Sequence, residues 1–478
     1  MQYNKTRRFL FMREYGEKRM HDVDVAVIGS GPGGYEAALR AARSGLKVTI
    51  VEKGAPGGVC VNWGCIPAKA LLRSAGMFDD LSKGAAYGVL ADNPRFDIAQ
   101  AVKRSRNVVL KMSKSIEFML RKTGVEYRQG EARLTDAHTI AVSRNGEESC
   151  RFSAENIIVA TGGRFRELPG LVPDGRRIIT SREALSMKEA PRSLLVLGGG
   201  AIGIELAWFF ARAGAAVTLV EMMPQLLPLE DFDISEALRR SFEKSGISIH
   251  TSSKLEQVVS SKDGVSAVIS SDGQEPLAVS ADCLLVAVGV TGNAEGLGLE
   301  EVGVDVDRGF IVTDNQCRTA VEHIYAVGDV RGGMLLAHKA SAEAAVAVGA
   351  IAGKPLSPVD ETKIPACVYA EPSVASVGFT EAKATSAGFR VIVGRSMFAA
   401  SGKANAYGSL DGLVKLVFNA DDHRLLGASL VGHGAVELVG EIGLARHLEV
   451  KAEDMAHMVH AHPTLSETIR EAAENALA

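Results

Sequence analysis

Residues 24–52 read DVAVIGSGPGGYEAALRAARSGLKVTIVE, and residues 193–221 read SLLVLGGGAIGIELAWFFARAGAAVTLVE. The two stretches align without a gap at an offset of 169 residues, and they share four glycines and a final glutamate. In each copy an apolar run leads into a glycine loop, a helical stretch, a glycine stop and a second apolar run. This order predicts two copies of one βαβ unit.

The glycine loops predict two dinucleotide sites. The first glycine permits the tight turn, the second lets the backbone approach a pyrophosphate, and the third lets helix and strand pack closely. Free N–H groups at the helix N-terminus then favour the phosphates. Glu52 and Glu221 end the second strands, where a carboxylate can accept hydrogen bonds from ribose hydroxyls. Because Glu221 would repel a 2′-phosphate and residues 222–224 supply no arginine, the second unit favours NAD over NADP.

Composition limits the remaining possibilities. The chain has 478 residues, 50 of them glycine, and a formal net charge of −4, which gives no electrostatic reason to expect a nucleic-acid partner. No apolar run reaches the roughly 18 residues that cross a bilayer. A chain of this length is expected to fold as several domains, because one domain usually takes about 100–200 residues. Residues 1–21 are predicted to be a disordered or extended segment.

Residues 57–69 read GGVCVNWGCIPAK and place Cys60 and Cys65 just after the first unit. Positions i and i+5 of a regular helix lie about 140° apart, whereas a disulfide needs Cα atoms about 5.5 Å apart. The flanking glycines and a proline permit the irregular backbone that such a bond requires. A zinc site would need two further ligands, and no CxxC or histidine pair is nearby. The stretch favours a redox-active disulfide, with two inert thiols as the alternative. The other cysteines are interpreted as inert: Cys150, Cys283, Cys317 and Cys367.

Residues 460–467 read HAHPTLSE. Thiol–disulfide exchange proceeds through a thiolate, so a dithiol substrate must lose protons as it attacks. Histidine is the side chain best suited to accept them near neutral pH. An arbitrary histidine is more often a satisfied surface or core residue, and this interpretation is kept for His457 and His460.

Seven motifs together resemble those of the pyridine nucleotide-disulfide oxidoreductase family, from about Val23 to the C-terminus. Besides the two glycine loops and the cysteine stretch, the motifs are IIVATGG from Ile157, IYAVGD from Ile324, LLAHKA from Leu335 and HAHPTLSE from His460. Within the family they are most similar to those of the members that oxidise dihydrolipoamide. One departure is that Gly289 is followed by Val-Thr-Gly-Asn, where the family often has Arg-Arg-Pro.

The resemblance implies FAD in the first unit and NAD in the second. It implies that Cys60 exchanges with the substrate while Cys65 faces the flavin. Lys69 would lie near the flavin and pair with Glu205. His462 would be the base and Glu467 its partner, acting on the active site of the other subunit. Electrons would then pass from dihydrolipoamide through the cysteine pair and FAD to NAD.

Further cofactor contacts follow from the matched motifs. For FAD the expected residues are Gly29, Gly31, Pro32, Gly33, Gly34, Glu52, Lys53, Gly58, Lys69, Ala132, Ala160, Thr161, Gly162, Asp329, Leu335, Leu336, Ala337 and His338. For NAD they are Gly198, Gly200, Ala201, Ile202, Gly203, Glu205, Glu221, Leu255 and Gly289. No metal site is expected.

The predicted fold class is α/β, with two Rossmann-like dinucleotide-binding domains and an α+β C-terminal dimerisation domain. The predicted boundaries are 22–165 for the first part of the FAD domain, 166–293 for the NAD domain, 294–363 for the second part of the FAD domain, and 364–478 for the interface domain.

The expected assembly is a cytoplasmic homodimer that serves a lipoylated carrier protein. The carrier could be the acyltransferase of a 2-oxo acid dehydrogenase complex, the H protein of glycine cleavage or a stand-alone lipoyl-binding protein. Two alternatives remain open. Mercuric reductase would be expected to carry a cysteine pair near its C-terminus, but no cysteine follows Cys367. A catalytically silent flavoprotein subunit would not need its cysteines or His462, although all are present.

Overall fold

The structure, a computed structural model, describes residues 21–478. The predicted N-terminal segment 1–21 therefore falls, except for His21, outside the described residues. Within residues 21–478, no helix is both long and apolar enough to cross a membrane.

The first glycine unit builds a sheet as predicted. Strand β1 (Val23–Ile28) is almost wholly buried, and helix α1 (Pro32–Arg43) follows its glycine loop. Pro32 suits the first helical turn because its missing N–H would have no partner there. The chain turns at Gly45, whose φ is 88°, into strand β2 (Val48–Glu52). The remaining elements of this region are α2 (Gly58–Trp63), α3 (Cys65–Ser82), α4 (Ile98–Lys122), β3 (Glu126–Gln129), β4 (Glu131–Leu134), β5 (Thr139–Arg144), β6 (Glu147–Val159) and β7 (Gly163–Phe165).

The second unit repeats this plan. Its elements are β8 (Ile178–Ile179), α5 (Ser181–Ala184), β9 (Ser193–Leu197), α6 (Ala201–Arg212), β10 (Ala216–Val220), α7 (Phe232–Lys244), β11 (Ser248–His250), β12 (Ser253–Ser261), β13 (Gly264–Ser271), β14 (Leu277–Ala281), β15 (Cys283–Val286) and β16 (Val290–Gly292). The chain then returns to the first region through β17 (Val306–Asp307), β18 (Phe310–Ile311), β19 (Ile324–Ala326) and α8 (Ala337–Ile351).

The two regions have matching sheets. Parallel strands run in the order β3-β2-β1-β6-β19 in the first region and β11-β10-β9-β15-β8 in the second. Each region also carries a three-stranded antiparallel sheet, β4-β5-β6 in the first and β12-β13-β14 in the second. The order confirms the two Rossmann-like folds expected from the repeat.

The C-terminal region is a five-stranded antiparallel sheet with helices packed on it, as the α+β prediction stated. The strand order is β20-β21-β24-β23-β22. The elements are β20 (Ala366–Val368), β21 (Ser373–Gly378), α9 (Glu381–Ser386), β22 (Val391–Met397), α10 (Gly402–Tyr407), β23 (Leu413–Asn419), β24 (Leu425–Gly432), α11 (Ala435–His447), α12 (Ala452–His457) and α13 (Glu467–Leu477).

The chain leaves the first region and returns to it at adjacent points. Strand β7 pairs antiparallel with β16, so that Gly163 lies opposite Gly292 and Phe165 opposite Val290. The predicted boundary at 165/166 lies at the end of β7, and the one at 293/294 lies one residue past the end of β16.

Candidate functional site

One cavity of about 710 Å³ joins both glycine units and the cysteine pair. It is bounded by the first glycine loop, helices α2 and α3, the start of α6, and the segment that leads into α8. The predicted site residues that line it are Gly29, Gly31, Pro32, Gly33, Glu52, Lys53, Gly58, Cys60, Cys65, Lys69, Ala132, Ala160, Thr161, Gly162, Ala201, Ile202, Glu205, Asp329, Leu335, Leu336 and Ala337. A set of residues from distant parts of the chain therefore shares one space.

The first glycine loop has the shape that a pyrophosphate requires. Gly29 has φ of 98°, and a Cβ on it would lie 2.4 Å from Ala160 O. A Cβ on Gly34 would lie 1.9 Å from Gly29 O, because α1 packs directly on the loop. Around Gly31, by contrast, the nearest atom to such a Cβ is 4.0 Å away. The loop is therefore closed towards the sheet and open towards the cavity, which fits FAD.

The carboxylate of Glu52 is held in place by the same loop. The Ser30 N–H and Ser30 hydroxyl donate to Glu52 Oε2, each at 2.8 Å, and the Gly54 N–H donates to Oε1 at 2.7 Å. Glu52 lines the cavity beside Lys53. An oriented carboxylate at this point can accept hydrogen bonds from a ribose.

The second glycine loop is built in the same way. Cβ atoms on Gly198 and Gly203 would lie 2.4 Å from Ala287 O and 1.9 Å from Gly198 O, whereas one on Gly200 would meet no atom within 4 Å. The Gly199 and Met223 N–H groups donate to the two oxygens of the buried Glu221, at 2.6 and 2.7 Å. These residues fit NAD, because a buried carboxylate at the end of β10 opposes a 2′-phosphate.

Cys60 and Cys65 lie on two helices that are separated by one irregular residue. Helix α2 ends at Trp63, Gly64 takes φ −142° and ψ −112°, and Cys65 begins α3. Gly57 and Gly58 have φ of 105° and 59°, so the predicted irregular backbone is present on both sides of Cys60. Both cysteines are thiols in this structure and hydrogen-bond to one another.

The two thiols differ in acidity. The hydrogen bond from Cys60 and the charge of Lys69 lower the pKa of Cys65 to about 7, against its burial. That same hydrogen bond and burial raise the pKa of Cys60. Cys65 is also the first residue of α3, where the helix dipole favours a thiolate. Cys65 is therefore the better leaving group of the pair, since a thiol of lower pKa leaves faster.

Lys69 and Glu205 form the ion pair that was predicted. Lys69 Nζ lies 2.8 and 2.9 Å from the two Glu205 oxygens, although 136 residues separate them in sequence. The Glu205 side chain is 7% exposed and that of Lys69 is 32% exposed. The Tyr369 N–H also donates to Glu205 Oε1, at 3.1 Å, and Lys69 Nζ lies 4.3 Å from the centroid of the Tyr369 ring.

The segment before α8 supplies the opposite wall of the cavity. Burial raises the pKa of Asp329, which follows β19. Leu335, Leu336 and Ala337 line the cavity, but His338 does not. Its side chain is exposed to solvent, and Nε2 lies 2.7 Å from Pro365 O.

His462 and Glu467 lie outside this cavity, at the surface of the C-terminal domain. His462 Nδ1 is 3.0 Å from Glu467 Oε1, and the His462 side chain is 78% exposed. The Thr464 N–H and the His462 imidazole lower the pKa of Glu467. His460 is different, since its side chain is 5% exposed and Nε2 lies 2.7 Å from Glu441 Oε1.

The other predicted residues outside the cavity belong to the two cofactor-binding units. Gly34 is buried in the first turn of α1, and the half-buried Leu255 packs against the core beside β13. Gly289 lines a second cleft of about 1090 Å³, which shares Val290 and Leu335 with the first cavity. Besides His462 and Glu467, the predicted residues not in the first cavity are Gly34, Gly198, Gly200, Gly203, Glu221, Leu255, Gly289 and His338.

The sequence interpretation missed several residues at the site. The Trp63 ring lies between the Arg106 and Arg182 guanidinium groups, each 4.5 Å from its centroid. Cys367, interpreted as inert, lines the cavity, and burial raises the pKa of its thiol to about 11. Trp63 was visible inside the cysteine motif, but no local signal marked Cys367 or Tyr369. No group of three or more His, Cys, Asp and Glu side chains in the described part of the chain could hold a metal ion.

Two family models cover the chain. Residues 23–344 match the pyridine nucleotide-disulphide oxidoreductase model, and residues 364–473 match the dimerisation domain of that family. The chain therefore belongs to the pyridine nucleotide-disulphide oxidoreductase family. This membership confirms the predicted fold class and the cofactors FAD and NAD, and the dimerisation domain supports a homodimer.

Comparison with individual proteins shows which members of this family the chain is similar to. The chain is 61% identical to dihydrolipoyl dehydrogenase of Chlorobaculum tepidum, over 95% of this chain and 97% of that one. It is 41% identical to dihydrolipoyl dehydrogenase of Geobacillus stearothermophilus, over 95% and 96%. The structure resembles LpdA from Mycobacterium tuberculosis with a TM-score of 0.88 and 29% identity, over 95% and 100% of the two chains.

Proposed function

We propose that this protein oxidises protein-bound dihydrolipoamide to lipoamide and reduces NAD⁺ to NADH. The observation that carries this proposal is the Cys60–Cys65 thiol pair, set in a cavity that reaches both glycine units. Relatives that share 41–61% of their sequence with this chain bear the name dihydrolipoyl dehydrogenase, which supports the substrate.

The chemistry of the pair follows from the two thiol acidities. In the oxidised pair, a substrate thiolate attacks Cys60 Sγ and the Cys65 thiolate leaves. The second substrate thiolate then attacks the mixed disulfide and displaces Cys60, so that lipoamide is released and the enzyme gains two electrons. Because the pKa of Cys65 is about 7, its thiolate persists near neutral pH. The first glycine loop would hold FAD, which would supply the acceptor for this electron pair and the hydride donor for NAD⁺.

Lys69 supports the anionic state of Cys65, and Glu205 holds Lys69 in place. The Lys69 ammonium lowers the pKa of Cys65, while Glu205 holds that ammonium by two hydrogen bonds. A cation held near a developing thiolate stabilises it most where solvent is excluded. We therefore assign Lys69 and Glu205 an electrostatic role at the reacting sulfur of Cys65, and neither residue transfers a proton in this proposal.

A base for the substrate thiols must come from outside the cavity of this subunit. His462 is exposed, is oriented by Glu467, and belongs to the region that matches a dimerisation domain. We therefore assign proton removal to His462 of the partner subunit, which makes the homodimer the active form. Glu467 accepts a hydrogen bond from the imidazole and stabilises its cation.

We assign a lipoylated carrier protein as the partner in turnover, which the name dihydrolipoyl dehydrogenase of the relatives supports. A transient catalytic disulfide suits a reducing compartment, which supports the cytoplasm as the site of action. The domain limits proposed above, 22–165, 166–293, 294–363 and 364–478, assign the cysteine pair, the NAD unit and His462 to separate domains.

Replacing Cys60 by serine tests the exchange role. Cys60→Ser removes the sulfur that the substrate attacks, so NAD-dependent oxidation of dihydrolipoamide should fall to background while FAD stays bound. The measurement is NADH formation beside flavin content. Cys150→Ser is the matched control, because Cys150 lies on β6 outside the cavity. Retained turnover in Cys60→Ser would refute the proposal, and wild-type protein with full FAD but no turnover would favour a silent flavoprotein.

Replacing His462 by alanine tests the base. His462→Ala should lower the rate by about 10²–10⁴-fold, the usual effect of losing a general base. The single-turnover reduction of the flavin by dihydrolipoamide is the appropriate measurement. His457→Ala is the control, since this exposed histidine hydrogen-bonds to the Glu453 carbonyl of its own helix. A near-normal rate in His462→Ala would remove this residue from the mechanism.

A further inference from the structure

The Lys69–Glu205 ion pair has a third partner in the C-terminal domain. Tyr369 follows β20 and contacts both members of the pair, through its N–H to Glu205 and through its ring face to Lys69. Lys69 comes from α3 and Glu205 from α6, so three parts of the chain meet at one ion pair. Each member therefore touches the other two.

We propose that Tyr369 is a positioning residue of the redox site, whose ring and backbone N–H hold the Lys69–Glu205 pair in the orientation that the thiols require. This inference deepens the function proposed above and rests on it for the chemical role of the thiols. The contacts themselves are independent of the substrate.

The ring adds a second restraint on Lys69, beside its two hydrogen bonds to Glu205. A lysine carries its charge on a flexible four-carbon stem, and 32% of this side chain is exposed to solvent. Glu205 binds the ammonium on one side only. An aromatic face within about 6 Å attracts a cation electrostatically, and Lys69 Nζ lies 4.3 Å from the ring centroid. The ring therefore limits the positions that the ammonium can take.

The backbone contact restrains the other member of the pair. Glu205 Oε1 accepts from Lys69 Nζ at 2.8 Å and from the Tyr369 N–H at 3.1 Å. Because a main-chain donor cannot rotate away, it fixes the carboxylate more firmly than a second flexible side chain would. This contact is retained when the Tyr369 side chain is changed, so substitution isolates the effect of the ring.

The consequence should be visible at Cys65. The groups that act on this thiol are Cys60 across the pair, Lys69 on its own helix and Glu205 on α6. Of these, the hydrogen bond from Cys60 and the Lys69 charge lower the pKa of Cys65, and Glu205 opposes them. If the ammonium moves into solvent, its effect weakens, and the pKa of Cys65 should rise.

The test compares three full-length holoenzymes with the wild type. Tyr369→Leu removes the ring, and Tyr369→Phe keeps the ring but removes the hydroxyl. Tyr407→Leu is the control, because Lys403 Nζ lies 3.9 Å from that ring, in an equivalent pair outside the cavity. Each protein is reduced by two electrons, and the long-wavelength absorbance that a thiolate produces beside a flavin ring is titrated against pH.

Tyr369→Leu should raise the midpoint of this titration by about 0.5–1 pH unit, as expected for losing one cation–ring contact. It should also lower the turnover rate about 3–10-fold near pH 7. Tyr369→Phe and Tyr407→Leu should match the wild type. If Tyr369→Leu does not fold, Tyr369→Met supplies an apolar side chain without a ring and should show the same shift.

A wild-type titration in Tyr369→Leu would overturn the inference, and so would a shift of equal size in Tyr369→Phe, since that would assign the effect to the hydroxyl. The titration does not use dihydrolipoamide. A shifted midpoint in a protein that oxidises no lipoyl substrate would therefore support the inference while refuting the proposed function.

Discussion

Glu36 and Glu205 hold the same position in the two glycine units, yet they do different things. Glu36 is on the outer part of α1 and forms a surface ion pair with Arg40, four residues away, at 3.5 Å. Glu205 is buried, binds Lys69 from the other unit, and lines the cavity with the cysteine pair. A shared local sequence thus produces one helix twice, whereas its neighbours in space determine what each glutamate does.

The residue just before the third matched glycine of each loop, Gly33 or Ile202, shows the same principle for packing. Gly33 is buried, and a Cβ there would lie 3.1 Å from Val327 Cγ2 and 3.4 Å from Ala340 Cβ, because α8 packs across α1. The equivalent residue Ile202 is 42% exposed and faces the cavity. The first unit is covered by α8 on this side, while the second is left open to the shared cavity.

The largest effect should come from closing each glycine loop in turn. In Gly34→Ala and Gly203→Ala the new Cβ would lie 1.9 Å from a backbone oxygen, so the helix must move away from its loop. Gly34→Ala should yield protein without flavin, and Gly203→Ala should keep its flavin but lose NAD⁺ affinity at least tenfold, as for an overpacked site costing about 1–3 kcal/mol. Flavin absorbance and NAD⁺ titration separate the two, and the same defect in both variants would contradict distinct roles.

A smaller effect should separate the paired glutamates. Glu205→Gln keeps the shape of the side chain but removes the charge that holds Lys69, so turnover should fall about 10–100-fold, as for one charged hydrogen bond of about 1.5–3 kcal/mol. Glu36→Gln should stay within about twofold, because an exposed ion pair contributes about 0–1 kcal/mol. Steady-state assays of both variants decide the point. Equal losses would show that the shared position, not its surroundings, sets the role.

The smallest effect should appear at Gly33 and at its equivalent in the second unit, Ile202. The new methyl group in Gly33→Ala would be tight against Val327 and Ala340. The free energy of unfolding should therefore fall by about 1 kcal/mol. Ile202→Ala removes a partly exposed side chain and should change stability by less than about 0.5 kcal/mol. Differential scanning calorimetry of the two holoenzymes is the measurement, and a larger loss in Ile202→Ala would reverse the packing order described above.

Much of the fold could be predicted because its signals are local. The apolar run at Val23 and the glycine loop that follows it marked β1 and α1. The glycines around Cys60 and Cys65 likewise predicted a break in regular helix, which occurs at Gly64. Tyr369 carried no such signal, because it meets Glu205, 164 positions away in sequence, only after folding. Cys367 carried none either, since it reaches the cavity only through the packing of distant segments.

The amino-acid sequence by itself determined two repeated glycine units, a cysteine pair in an irregular turn and a His–Glu pair near the C-terminus, since each depends on residues close together in the chain. The tertiary structure decided which glutamate meets Lys69, that Tyr369 joins them, and that His462 lies exposed and away from the cavity of its own subunit. Contacts between distant segments depend on how whole domains pack, and local patterns do not encode that packing.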